Sequence, residues 1–444
     1  MVMIYNIIYI YSKSKESYYI MLQLSTASSK ILMTLFRVHK YKSLARSTME
    51  HIFPDYYNKF HCIADRCTIT CCQEWKITVD DDTNRKWKKI LPPDTISDKR
   101  KNLTAYTCKK DGARVIGLDQ NHRCPFLSQD KLCHLVTSYG DSVLSETCTL
   151  FPREIHEFST HTEASLMPCC PAVIDLWCEK NIEFPTVYSI VDHSSPMFLI
   201  RDNLIKLLQN KNLSIEEALF EGFYILLELY KNQPVTISQI NEYFSKQTLF
   251  DLHSALADIN VPADDTFTEC NELLQDLAVN YSKEGLYTGF LQPILAEAEK
   301  YHKGTFSPDK PDDRLTDSGT GSELSGIWNL FCDMITDHDI VFRNFLSNEL
   351  FSDLIIPGSS SKIIEHMVMQ YQWIIMEYTA IRQSLFLWRS IDPKSPLTYE
   401  TVRNYIVIIS RMTGYDDGDI RTYLGNSFAK LIWDWGYAAL IIGA

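Results

Sequence analysis

From about Pro196 onwards the apolar residues recur at helical spacing, as in Leu199, Leu204, Leu207 and Leu208, and then in Ala218, Leu219, Phe223, Leu226, Leu227 and Leu229. Spacings of three and four place such side chains on one face of a helix. Ser214 with Glu217 three residues later marks a helix start, because hydroxyl and carboxylate each satisfy an orphan amide of the first turn. Further helices are predicted over 238–257, 270–281, 284–302, 323–348, 361–391, 398–412 and 420–440, separated by turn residues such as Asn232-Gln233-Pro234 and Pro393. This half reads as an all-α bundle or solenoid-like array without a detectable repeat. From Phe60 to about Pro171 the pattern is irregular: short apolar pieces, Trp75 to Val79 and Arg114 to Leu118, are interrupted by Pro92-Pro93, Gly112 and Gly140. That predicts a loop-rich region with one small hairpin. The expected fold is mainly α, a loop-rich cysteine-cluster N-terminal region packed on a C-terminal helical bundle. Residues 49–180 form the cysteine-rich domain in this reading and 181–444 the helical one.

Two segments depart from this plan. Residues 1–48 carry seven basic residues and one acid, about +6 in a chain of net charge -13. Their apolar runs, Met1 to Ile10 and Ile31 to Phe36, are short of the roughly 18 residues that span a bilayer. The basic residues follow the apolar run, the reverse of a secretory signal. The expectation is a disordered or misassigned extension, with Met49 as an alternative start. From about 302 to 326 the chain is rich in Gly, Ser, Asp and Pro and poor in large apolar residues, which predicts a flexible loop. Its Asp317-Ser-Gly319-Thr-Gly321 faintly resembles the glycine turn of a nucleotide or S-adenosylmethionine site but lacks the preceding strand.

The acidic balance disfavours a phosphate-binding face, so nucleic acid is not expected, nor is a membrane. It suits a lysine-bearing partner, with Asp80-Asp81-Asp82 and Asp416-Asp417-x-Asp419 as candidate steering patches or merely solvated faces. Of 13 cysteines, eleven lie between Cys62 and Cys178. An odd count and the adjacent pairs Cys71-Cys72 and Cys169-Cys170 favour a metal site in a reducing cytoplasm over secreted disulfides.

The candidate ligands are Cys67, Cys71, Cys72, Cys124, Cys133, Cys148 and Cys170. Four thiolates select zinc or an iron-sulfur cluster over hard cations, and the lack of tight C-x2-C pairs tilts the choice towards iron-sulfur, 4Fe-4S before zinc. Prolines beside Cys124, Cys169 and Cys170 would stiffen the loops and hold the sulfurs in place before metal arrives. Cys178, Cys270 and Cys332 read as ordinary buried thiols. His61, His122 and His134 lie near cysteines as surface, outer or ligating groups, and Arg153 either neutralises the centre or pairs with a carboxylate.

Phe60-x-Cys62-x4-Cys67-x3-Cys71-Cys72-x2-Trp75, then Cys124-Pro-Phe-Leu127 with Leu132-Cys133, then Gly140, Leu144 and Cys148 leading to Phe151-Pro-Arg153, then Cys170-Pro171, resembles the flagellin lysine N-methylase (FliB-like) family. The CxxxCC and CPFL pieces alone are similar to the wider YkgJ-type cysteine-cluster proteins, described as zinc- or iron-chelating. The resemblance is dense over residues 53–175 and architectural beyond. Cys169 departs from the pattern, leaving open which of Cys169 and Cys170 ligates. The resemblance implies transfer of methyl groups from S-adenosylmethionine to surface lysines of flagellin in the cytoplasm, with an iron-sulfur cluster on the N-terminal cysteines. It assigns no cofactor pocket and no general base. The rival readings are a non-catalytic module that senses or stores metal and a secreted disulfide protein.

Overall fold

The computed structural model describes residues 50–110, 112–191, 195–257, 259, 261–305, 320–358, 362–414, 417–427 and 433–443. The expected extension 1–48, most of the expected loop at 302–326 and Asp416 lie outside them.

The N-terminal region is built from short pieces. A three-stranded sheet has the order β1-β5-β4, with β1 (Glu50–Ile52) parallel to β5 (His161–Leu166), and β4 (Arg153–Glu157) antiparallel to it. In register, Ile52 stands opposite Glu163, and Arg153 opposite Leu166. The predicted hairpin is present as β2 (Thr107–Lys110) against β3 (Ala113–Ile116), and Trp75 to Val79 lies along it through a bridge at Thr78 and Val115. Short helices α1 (Asp81–Trp87), α2 (His134–Tyr139), α3 (Glu146–Leu150), α4 (Pro171–Trp177) and α5 (Val187–Ile190) fill the rest. The sheet was not legible in the sequence, because the inner strand β5 buries His161, Thr162, Glu163 and Ser165, which hide its alternation.

From α6 (Pro196–Leu208) and α7 (Ile215–Lys231) onwards the chain is helical, and α7 begins with the expected capping box: Glu217 N donates to Ser214 Oγ at 3.0 Å and Ser214 N to Glu217 Oε2 at 2.7 Å. The predicted 238–257 helix is two, α8 (Ile237–Tyr243) and α9 (Lys246–Leu256), because Ser245 caps the second by accepting from Thr248 N. There follow α10 (Ala263–Lys283) and α11 (Thr288–Thr305); the next helix, α12 (Thr320–Ile335), resumes inside the expected loop. The predicted 323–348 helix is also two, since a 3-10 turn at Thr336–His338 separates α12 from α13 (Asp339–Asp353). The longest, α14 (Ile363–Ile391), precedes α15 (Tyr399–Thr413); the predicted 420–440 helix is divided into α16 (Asp417–Ser427) and α17 (Trp435–Ile442).

Helix α14 is buried almost all round, which places it at the axis of the bundle. One large core joins these helices to Ile52, Tyr56, Phe60, Leu166 and Cys170 of the N-terminal region, and a smaller core around Trp75, Trp87, Tyr106 and Phe126 lies within that region. The two halves are tied by buried polar contacts. Arg201 of α6 makes two bonds to Glu163 at 2.6 and 2.7 Å, and Asn344 of α13 donates to the carbonyls of Trp177 and Lys180, both at 2.8 Å.

Candidate functional site

The cysteines come from four separate loops that meet between the two cores. Cys170 belongs to the large core, whereas Cys124 belongs to the small one, with Cys72, Cys133 and Cys148 packed against it. Cys133 and Cys170 precede the first turns of α2 and α4, where the amides of Leu135 and Val136, and of Ala172 and Val173, face the sulfurs. Cys148 lies on α3, whose cap Ser145 accepts from its amide. Cys71 sits at the centre: a charge on its sulfur would repel charge on Cys67, Cys124, Cys133, Cys148 and Cys170. Cys72 bonds to the Cys71 thiol. The charges that act on Cys169 are those of Arg411, Cys170, Glu349 and Glu154, and those that act on Cys170 include Cys71 and Cys67. Cys62 is exposed.

Burial controls this chemistry. It pushes the Cys148 and Cys170 thiols up to about 12 and holds Cys124 and Cys133 above the ordinary thiol range. For Cys71 the hydrogen bond that its thiol donates to Cys72 raises it first and burial adds to that. Such sulfurs stay protonated unless a cation compensates the charge they would carry as thiolates.

Among the described residues no three His, Cys, Asp or Glu side chains are grouped so as to hold a metal ion. By donor chemistry the set fits a soft metal centre: the convergent groups are all sulfur, with no carboxylate bonded among them. Of the histidines considered in the sequence, His61 is turned to Lys59 O at 2.9 Å.

A positive charge reaches the thiols from the helical half. Arg411 of α15 is buried; its guanidinium donates to Cys169 O at 3.0 Å, Ile69 O at 2.9 Å and Thr70 O at 3.2 Å, and lies 5.2 Å from the Trp75 ring centre. It offsets part of the burial effect on Cys67, Cys71 and Cys169. This replaces the role considered for Arg153, whose guanidinium lies over Phe60 and Tyr57 instead. The same helix holds Asp175 with Tyr399 at 2.7 Å and Arg403 at 3.1 Å, and Arg403 also reaches Thr68. Tyr399, Arg403 and Arg411 follow one another at spacings of four and eight residues on one helix side, a signal present in the sequence that hydrophobic patterning passes over.

Beside Cys169 lies a group of buried carboxylates absent from the sequence reading. Glu349 and Asp353 of α13 and Glu377 of α14 are all held above the usual carboxylate range by burial, and for Glu349 and Asp353 also by their acidic neighbours, including Glu154. Glu377 accepts from Thr413 Oγ1 at 2.8 Å and Glu349 from Asn348 Nδ2 at 3.2 Å. Such a group holds protons near neutrality. Of the acidic run Asp80 to Asp82, Asp80 caps α1 by accepting from Thr83 N and also accepts from Glu146 N, and Asp82 pairs with Arg85.

Residues 201–441 match the model of the family described as FliB lysine N-methylase C-terminal domain. The chain is 26% identical over 187 residues to Lysine-N-methylase of Salmonella typhimurium (strain LT2), a match covering 38% of this chain and 44% of that protein. It is 29% identical over 131 residues to the Flagellar biosynthetic protein FliU of Salmonella muenchen, covering 27% of this chain and 72% of that protein. The match thus spans less than half the length of the Salmonella typhimurium relative. No solved structure matches the chain.

Proposed function

The chain belongs to the FliB lysine N-methylase family, and from that premise we propose that it is an S-adenosylmethionine-dependent protein-lysine N-methyltransferase acting on flagellin in the cytoplasm. The match over most of the helical half carries the reading, in the region where the sequence alone offered only architecture. A Lysine-N-methylase and a flagellar protein among the relatives support the reaction and the substrate. No described helix is long and apolar enough to cross a membrane. In this reading residues 49–180 hold a metal centre and residues 181–444 carry the transfer.

The cofactor supplies a methyl carbon bonded to a sulfonium sulfur. The target ammonium first gives its proton to a base; its nitrogen then bonds to that carbon as the carbon–sulfur pair returns to sulfur. The chain must orient the amine, exclude water and accept the proton. This transfer requires no electron exchange, so in this reading the cysteine centre is structural or shapes the cofactor pocket. Cys67, Cys71, Cys124, Cys133, Cys148 and Cys170, with Cys72 beside them, are the groups that would hold an iron-sulfur cluster, preferred to zinc because their spacing in the chain lacks the tight C-x2-C pairs of zinc knuckles. Arg411 would offset its negative charge.

The test is anaerobic purification of the whole chain, iron and sulfide assays, and incubation with S-adenosylmethionine and flagellin followed by mass spectrometry of flagellin lysines. Methylated lysines are expected from an iron-containing protein. Iron without cofactor affinity would favour a non-catalytic metal module, and neither would overturn the reading. Cys71→Ser is expected to abolish iron content, while Cys62→Ser retains it because Cys62 is exposed.

A further inference from the structure

Among the described residues a cavity of about 550 Å³ opens in the helical half, between the start of α7, the end of α9, the junction of α12 and α13, and the middle of α14. None of the candidate cysteine ligands lines it. It lies within the span matched by the methylase family.

Its lining combines aromatic rings with negative charge. Phe220, Trp328, Phe342 and Tyr378 form the aromatic part, with Phe342 and Tyr378 edge to face at 5.7 Å. Ring faces attract cations. Five carboxylates contribute, of which three are already engaged: Glu216 with Arg382 at 2.9 Å, Glu221 with His253 at 2.9 Å and Asp339 with Arg343 at 2.7 Å. Glu217 caps its own helix, and Asp333 is exposed; neither forms an ion pair among the described residues. The surplus charge is therefore negative and rejects phosphate-bearing nucleotides. Arg382 stands buried at the cavity, its guanidinium 5.2 Å from the Trp328 ring centre and 5.6 Å from that of Tyr378. Its terminal nitrogens are bound to Glu216 and the carbonyls of Ile441 and Ile442, while its Nε is buried without a hydrogen-bond partner.

These features describe a ligand with a positive charge, a flat ring and an acceptor for one buried N–H, at a volume suited to a nucleoside-sized molecule rather than a lone lysine side chain. We propose that this cavity binds S-adenosylmethionine, with the Trp328–Tyr378 wall taking its adenine and Glu217 and Asp333 facing its sulfonium. The proposal rests on the reading of the chain as an S-adenosylmethionine-dependent methylase.

The experiment titrates S-adenosylmethionine, its thioether product S-adenosylhomocysteine, which lacks the sulfonium charge, and a lysine peptide, each separately, into the full-length protein by calorimetry. Trp328→Ala is expected to weaken both ligands about tenfold by removing ring contact. The double variant Glu217→Gln with Asp333→Asn is expected to weaken S-adenosylmethionine about tenfold and the product by no more than about twofold, since only the first carries the sulfonium charge. If Trp328→Ala fails to fold by circular dichroism, the double variant decides, because Gln keeps the capping box and Asp333 is exposed. Wild-type binding that none of the variants changes would overturn the cavity assignment and leave the methylase reading standing. Variants that weaken only a lysine peptide would overturn it in favour of the acceptor amine. A wild-type chain with no affinity for S-adenosylmethionine would overturn both.

Discussion

Glu377 is buried on the central helix α14, with Thr413 as its hydroxyl donor. Burial raises its carboxyl from the ordinary 4.5 to about 7, so between those values the folded state holds a proton that the unfolded state has lost. Folding stability contributed by this group is therefore lost as pH rises through 4.5 and on to the folded-state value. Glu377→Gln, which keeps an acceptor for Thr413, is expected to raise the melting temperature at pH 8 and to change it little near pH 4. An equal shift at both values would sink the argument. Arg411 acts in the opposite sense: Arg411→Met leaves three buried carbonyls without their donor and the thiols without their nearest cation. Lower iron content is expected from it, read by visible absorption, even in preparations that remain folded. The cysteines were legible in the sequence because sulfur advertises its own chemistry at any spacing. Glu377 and Arg411 were not, since a single charged residue in an amphipathic helix looks the same whether it faces water or a buried partner.

At the scale of elements, the helix crossings are set by small residues and buried pairs. A Cβ on Gly222 of α7 would come within 2.3 Å of the Tyr371 hydroxyl and 3.0 Å of its ring carbon, and that tyrosine on α14 is fully buried. Gly222→Ala is therefore expected to cost about 1–3 kcal/mol through overpacking, despite the better helix propensity of alanine. Arg201 on α6 has 0% exposure and pairs with Glu163 on β5, whose carboxyl would be raised by burial but is held below the usual range by Arg201 and His161. Arg201→Leu strands that carboxylate, and urea denaturation is expected to show a loss of about 3–5 kcal/mol. A change below about 1 kcal/mol would mean that water reaches Glu163. Helices were legible from their 3.6-residue period, while their interruptions at Ser245 and at Thr336–His338 were not: both fall within apolar periodicity that continues across them. The edge strand β1 is three residues long and acquires meaning only by pairing with a segment over a hundred positions away.

Over the whole molecule, the span matched by the family model leans on the N-terminal region through buried polar contacts. Cut at residue 201, the helical half would lose Glu163 beneath Arg201, the Trp177 and Lys180 carbonyls beneath Asn344, and the Cys169, Ile69 and Thr70 carbonyls beneath Arg411. Residues 201–444 expressed alone are expected to lack a cooperative thermal transition, whereas residues 49–444 show one; sharp melting of the shorter fragment would contradict this. The cysteine loops are equally dependent on their surroundings. Ala64, Glu74, His122 and Lys131 all adopt left-handed backbone, at φ between 47° and 57°, without being glycine, and Glu74 is held there by Tyr287, whose hydroxyl donates to its carbonyl at 2.8 Å. Each such residue raises the local energy by about 1 kcal/mol or more, a conformation that the short peptide would abandon in water. The cysteine motif is thus not portable: grafted onto another scaffold or synthesised as a free peptide, the same cysteines at the same spacing would lose the template that sets their backbone.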